Sequence, residues 1–143
     1  MSSSNQMEWQ PRRLQEWLVQ QLGLQASLSV ELIEGGTSNE VYALDFGRHQ
    51  WVLRKPPSRL SHHSAHNVLR EYRIINALQK TSVRVPKLVV ACEDLSVIGT
   101  PFYIMDRVPG VVVGDRLPEL YRMSPHSHGG FGYAMMDALV ELH

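Results

Sequence analysis

Cysteine, surplus charge and long apolar runs are all scarce in this sequence, and each shortage excludes a class of protein. The only cysteine, Cys92, cannot form an internal disulfide, which is typical of a reducing compartment. The 14 Lys plus Arg balance 14 Asp plus Glu, so no basic excess is available for nucleic acid or an anionic membrane. The longest uncharged apolar stretch, 108–114, is far too short to span a bilayer. We therefore predict a soluble protein without nucleic-acid or membrane partners, located in the cytoplasm or, in a eukaryote, in an organelle matrix.

The remaining composition is that of a globular domain, because 43% of the 143 residues are hydrophobic. Residues 1–10 are polar and predict a flexible lead. An apolar helical stripe between Pro11 and Gly23 predicts a first helix. Alternating runs predict strands at 28–32, 41–45 and 50–55, and 61–80 carries the apolar stripe of a long helix.

Two more strands and a last helix follow. The uninterrupted apolar run that ends at Cys92 predicts a strand buried on both faces, and a turn leads to a strand over 102–107. The stretch 111–130 is predicted to be irregular, and the apolar spacing from Met135 to Leu142 predicts the last helix. That helix has no later element to pack against, so we expect the chain to be part of a longer protein.

Glu71 is the first candidate functional residue, because it lies within the apolar stripe of the long helix. A buried carboxylate usually pairs with a cation, and the third strand offers Arg54 and Lys55 on opposite faces. The alternative is a surface Glu bonded to Arg70 or Arg73.

Two backbone segments are further candidates. The turn 35–39 joins two strands and contains two glycines and two hydroxyl residues, whose N–H and O–H groups could approach an anion, although such turns are often only turns. The fifth strand ends in 105–110, where unpaired backbone groups could bind the edge of a flat heterocycle; the alternative is an ordinary edge strand that ends at a Pro-Gly turn.

The order of these parts resembles the nucleotide lobe of the protein-kinase-like fold. The strings GGTSNEVYALD, WVLRKPP, VLREYRIINAL, VPKLVVACED and IGTPFYIMDRVPG are similar to the aminoglycoside phosphotransferase and choline-kinase-like family, in the branch also found fused to acyl-CoA dehydrogenases. The resemblance implies an α+β fold: a curved five-stranded antiparallel sheet with one large packed helix and a helix at each end. It also implies a nucleotide-binding N-lobe over 11–110, and over 111–143 a linker and the first helix of a C-lobe that is truncated here.

The family pattern also implies a set of ATP-binding residues. The loop over the phosphates comprises Gly35, Gly36, Thr37, Ser38 and Asn39. The adenine-facing residue is Val52, the phosphate-binding cation is Arg54 or Lys55, and its acidic partner is Glu71. The residues at the adenine edge are Met105, Asp106 and Val108. Arg54 stands where the family usually has a lysine, which leaves open whether Arg54 or Lys55 contacts phosphate.

The implied activity is transfer of the γ-phosphate of ATP, with Mg²⁺, to a hydroxyl of a small substrate, and the branch suggests a hydroxyacyl-CoA or similar metabolite. The family's His-x-Asp loop and later Asp motif have no match before His143. We therefore expect no catalytic or metal-binding residue in this chain and no activity of the chain alone. The alternatives are a non-catalytic, pseudokinase-like nucleotide-binding module and a structural domain whose last helix docks a partner.

Overall fold

The chain forms a mixed α and β domain in a computed structural model that describes residues 8–33, 39–57, 63–111, 118–119 and 125–143. Four helices and five strands lie in these ranges. They are α1 (Pro11–Leu22), β1 (Leu28–Leu32), β2 (Glu40–Phe46), β3 (His49–Lys55), α2 (His63–Leu78), β4 (Leu88–Cys92), α3 (Leu95–Ile98), β5 (Phe102–Asp106) and α4 (Pro125–Leu142). None of the helices in the described ranges combines the length and apolarity needed to cross a bilayer.

The five strands form one antiparallel sheet in the order β1-β2-β3-β5-β4. The sheet agrees with the expected architecture, and β3 and β5 lie inside it. The alternative of an edge strand for 102–107 is therefore wrong, because β5 pairs with β3 on one side and with β4 on the other.

The main core lies between one face of the sheet and α1 with α3. Pro11 starts α1, and Gly23 ends it in a left-handed conformation (φ 65°) whose N–H donates to the Val19 carbonyl. Leu14 and Leu18 of α1 are fully buried in this core. Residues from the sheet and α3 that pack with them include Leu44, Phe46, Leu53, Val97, Ile98, Phe102 and Ile104.

The opposite face of the sheet is covered by α2, which contacts β3, β4 and β5. Val68 of α2 and Tyr103 of β5 are fully buried there. The predicted stripe of α2 thus does face the sheet, and Glu71, one turn after Val68, is carried to the same face.

Three local predictions were wrong. The β4 strand lies at the edge of the sheet, and of its residues only Cys92 is buried, because among the described strands β4 pairs with β5 alone. The predicted turn before Gly99 contains α3, capped by Asp94, whose carboxylate accepts from the Ser96 N–H at 2.8 Å. The stretch 111–130 is not irregular throughout, because α4 already begins at Pro125.

Candidate nucleotide site

An ion pair between the sheet and the long helix forms the centre of the candidate site. Arg54 Nη1 lies 2.9 Å from Glu71 Oε1, which joins β3 to α2. The two side chains are 29% and 32% exposed, so the pair is partly shielded but still reachable from solvent. The structure therefore confirms that a cation of β3 pairs with Glu71, and it assigns that position to Arg54.

Lys55 is directed to the other face of the sheet, because neighbouring residues of a strand alternate in direction. Its Nζ lies 2.8 Å from Glu40 Oε2 and donates to the Pro56 carbonyl at 3.1 Å. The side chain is only 3% exposed. Lys55 is thus held in a separate buried pair and is not brought to Arg54 and Glu71.

Tyr42 completes the buried pair of Lys55 and Glu40. Its hydroxyl donates to Glu40 Oε2 at 2.7 Å, and its ring packs edge-on against Trp9. Burial, together with the neighbouring Glu40 carboxylate, raises the pKa of Tyr42 to about 12. This cluster fixes the start of β2, which directly follows the glycine-rich turn.

An apolar surface lies on the same face of the sheet as Arg54. Val52 is paired in register with Ala43 of β2 and with Met105 of β5, and all three side chains share one face. Val52 and Ala43 are almost completely buried, whereas Met105 is half-buried. The structure therefore brings Val52, Arg54 and Met105 to one side of the sheet.

The backbone after Met105 presents polar groups at the edge of β5. The Asp106 N–H donates to the Lys87 carbonyl at 2.8 Å, and the Arg107 N–H donates to the Gln50 carbonyl at 3.0 Å on the other side. In an extended strand the N–H and C=O of one residue point the same way, so the Asp106 carbonyl is directed away from β3. Val108 follows in the exposed connector, 64% exposed.

Of the predicted glycine-rich turn 35–39, the structure describes only the last residue. The predicted phosphate-loop residues Gly35, Gly36, Thr37 and Ser38 lie outside the described residues, whereas Asn39 leads into β2. The two flanking strands are in register up to the turn, since the Ile33 N–H donates to the Val41 carbonyl at 2.8 Å.

Tyr103 is a site residue that the sequence interpretation missed. It lies directly opposite Arg54 in the β3–β5 register and is fully buried. Burial raises the pKa of Tyr103 above its usual range. The Arg54 guanidinium acts to lower this pKa and the Glu71 carboxylate acts to raise it, because both side chains lie close to the hydroxyl. The signal was available, because Tyr103 shares a strand face with Met105, two residues away.

The available groups fit a nucleoside triphosphate. Arg54 offers a reachable cation for phosphate, the surface around Val52 and Met105 offers apolar contact for a base, and the Asp106 carbonyl, directed away from β3, offers a hydrogen-bond acceptor. In the part of the chain that the structure describes, no three His, Cys, Asp or Glu side chains gather as a metal site. That Mg²⁺ ligands lie outside this chain therefore stays a prediction.

The chain is similar in sequence to proteins of Mus musculus and Homo sapiens. Over 132 residues the chain is 38% identical to acyl-CoA dehydrogenase family member 10 of Mus musculus, which covers 91% of this chain and 12% of that protein. It is 35% identical over 120 residues to acyl-CoA dehydrogenase family member 11 of Homo sapiens, covering 83% and 15%. The chain thus spans only about an eighth to a seventh of the length of these curated relatives.

Solved structures show the same architecture. A protein from Ralstonia eutropha, provisionally assigned as an aminoglycoside phosphotransferase, superposes with a TM-score of 0.63 at 37% identity, covering 78% of this chain and 32% of that one. Aminoglycoside 2'-phosphotransferase-IIIa, solved as its GDP complex, gives a TM-score of 0.52 at 22% identity over 78% of this chain and 36% of that one, which shows the shared fold. The model of the phosphotransferase enzyme family matches residues 29–143, and the chain therefore belongs to that family.

Proposed function

We propose that this chain is the nucleotide-binding part of an ATP-dependent kinase that transfers the γ-phosphate to a hydroxyl of a small molecule. The observation that carries the proposal is the Arg54–Glu71 ion pair, which holds a partly exposed guanidinium beside an apolar sheet surface. A planar guanidinium with five donors is well suited to phosphate oxygens. Family membership supports the phosphotransferase class, and the use of ATP is our proposal.

Each element of the site has a distinct role in this proposal. Arg54 binds phosphate oxygens, and Glu71 holds the guanidinium in place against the sheet. Val52 and Met105 contact the base, while the backbone of Asp106 and Val108 bonds its edge, because alternate residues of an extended chain face the same way. The Gly35–Asn39 turn contributes N–H groups to the phosphates. Lys55 contributes indirectly, by anchoring the start of β2 through Glu40.

The reacting phosphate is carried by the nucleotide, and we place the Mg²⁺ ligands and the catalytic base outside this chain. We further propose a hydroxyl of an acyl-CoA-type metabolite as the acceptor, rather than an antibiotic. The support is that the curated relatives are named acyl-CoA dehydrogenase family members. An assay of the longer protein with a hydroxyacyl-CoA and with an aminoglycoside separates these acceptors: phosphorylation of the aminoglycoside alone would contradict the proposal.

The nucleotide site itself is tested by binding. We expect MgATP to raise the melting temperature of this chain, and Arg54→Met to abolish the rise. Arg12→Met is the matched control, because Arg12 forms an exposed pair with Glu16 (3.0 Å) in α1, on the other side of the sheet. Stabilisation that survives in Arg54→Met, or no stabilisation of the wild-type chain, would refute the site. Binding without phosphate transfer by the longer protein would favour the non-catalytic module instead.

A further inference from the structure

A chain of buried contacts lies behind Arg54, on the face of the sheet that α1 covers. Lys55 Nζ lies 2.8 Å from Glu40 Oε2, and the Tyr42 hydroxyl donates to the same oxygen at 2.7 Å. The Tyr42 ring in turn packs edge-on against Trp9, with ring centroids 5.3 Å apart. We define the rear network as Trp9, Tyr42, Glu40 and Lys55. Its two outer members, Tyr42 and Trp9, are 5% and 7% exposed and have no role in the proposed nucleotide site.

The strand register places this network directly behind the proposed phosphate-binding cation. Arg54 of β3 pairs with Val41 of β2. The pairs on either side of them in the register are Glu40–Lys55 and Tyr42–Leu53. Since neighbouring residues of a strand point to opposite faces, these flanking side chains lie on the rear face of the backbone that carries Arg54. Glu71 therefore contacts Arg54 on one face of the sheet, and the rear network fixes its two strands on the other.

Trp9 connects the rear network to α1. It packs in the same buried core as Leu14 and Leu18 of that helix. Burial and Glu40 raise the pKa of Tyr42 to about 12, so its hydroxyl is protonated near neutral pH and donates to the Glu40 carboxylate. A hydrogen bond to a charged group is stronger than one between neutral groups. The rear network therefore ties the β2–β3 backbone to the core on the α1 side.

We propose that Trp9 and Tyr42 are positioning residues that set the direction of the Arg54 guanidinium from the rear face of the sheet. The inference rests on the proposed function, since it assumes that Arg54 binds phosphate. With the network intact, Lys55 is fixed and the adjoining backbone holds Arg54 in line with Glu71. Without the Tyr42 hydroxyl, Glu40 and Lys55 can shift, and the backbone that carries Arg54 shifts with them. The Arg54–Glu71 pair then still forms, but it meets phosphate oxygens in a poorer geometry.

The test is Tyr42→Phe, which removes only the hydroxyl and keeps the ring against Trp9. We expect the dissociation constant of a fluorescent ATP analogue with Mg²⁺ to increase about fivefold, equivalent to about 1 kcal/mol. Trp9→Leu acts from the far end of the network and should also weaken binding. In the free chain, NMR should show faster solvent exchange of the Arg54 side-chain N–H in both variants. That signal is assigned by its absence from Arg54→Met.

Phe46→Leu is the matched control, because Phe46 is a fully buried ring of the same core at the opposite end of the β2–β3 pair, stacked on Trp51. It should lower the urea midpoint, as Trp9→Leu does, but leave the Arg54 signal and the affinity for the analogue unchanged.

The outcomes distinguish this inference from the proposed function. If Tyr42→Phe binds the analogue as tightly as wild type while Arg54→Met does not bind, the role of the rear network is refuted and the nucleotide site stands. Equal weakening by Phe46→Leu would also refute it, because general loosening of the core would then explain the loss. If the wild-type chain does not bind the analogue, the proposed function fails, and the inference fails with it.

Discussion

The buried pair of Lys55 and Glu40 makes a prediction that can be worked out from its geometry. Glu40→Gln keeps an oxygen that can accept from Tyr42, but it removes the charge that balances the Lys55 ammonium at 2.8 Å. Removal of one partner from a fully buried pair costs about 3–5 kcal/mol, whereas an exposed pair contributes about 0–1 kcal/mol. Lys55 is 3% exposed and Glu40 is 28% exposed, so the pair lies between these limits.

We therefore expect Glu40→Gln to lower the free energy of unfolding by about 2 kcal/mol, a fall of roughly 7 °C in melting temperature. Urea denaturation is the suitable assay, because guanidinium salts would screen the charges. Glu16→Gln, in the exposed pair with Arg12, is the matched control and should change stability by less than about 0.5 kcal/mol.

The double variant Glu40→Gln with Lys55→Met tests the physical reason. It removes the buried ammonium as well as the Glu40 carboxylate, so it should be more stable than Glu40→Gln alone. A Glu40→Gln chain as stable as wild type, or a double variant less stable than the single one, would refute the reasoning that the buried ammonium needs its carboxylate.

The remaining predictions concern ionisation, reactivity and the exposed helix. Burial and Glu40 raise the pKa of Tyr42 from 10.0 to about 12. The protonated hydroxyl therefore makes its full contribution to the free energy of unfolding below pH 10, and this contribution is lost as the pH rises toward 12. Tyr42→Phe should flatten that loss in urea titrations, and an unchanged slope would contradict it. Burial also raises the pKa of the Cys92 thiol, so a thiol reagent should react much more slowly with the folded chain than with the urea-unfolded chain; equal rates would show that Cys92 is accessible. Because Tyr133, Met136 and Val140 are largely exposed on α4, this chain should bind a hydrophobic dye or self-associate, and a dye-negative monomer would contradict that expectation.

Much of the fold follows from local sequence signals. Pro11 and Gly23 mark the ends of α1 closely, because proline suits the first helical turn and glycine the left-handed residue after it. Alternation of apolar residues places β1, β2 and β3 within a residue or so of their observed bounds. The in-stripe position of Glu71 predicts its partner on β3, which the Arg54 contact confirms.

The errors arise where the outcome depends on distant parts of the chain. An apolar run shows that β4 is hydrophobic, but its place at the edge of the sheet is set by strand order, which a local pattern does not contain. The four residues of α3 are too few for a periodic signal. The glycines and histidines at the start of α4 favour no helix by themselves. The sequence places Tyr103 on the same strand face as Met105, but its position opposite Arg54 depends on the β3–β5 register, which a local pattern does not contain.

The central claim is that Arg54 and Glu71 act as one unit in nucleotide binding, and a double-mutant cycle tests it most directly. Dissociation constants of a fluorescent ATP analogue, with Mg²⁺ present, would be measured for wild type, Arg54→Met, Glu71→Gln and the double variant. If Glu71 acts by holding Arg54, each single change should weaken binding at least tenfold, and the double variant should bind no more weakly than Arg54→Met alone. Losses that simply add, or a Glu71→Gln chain that binds like wild type, would contradict the claim.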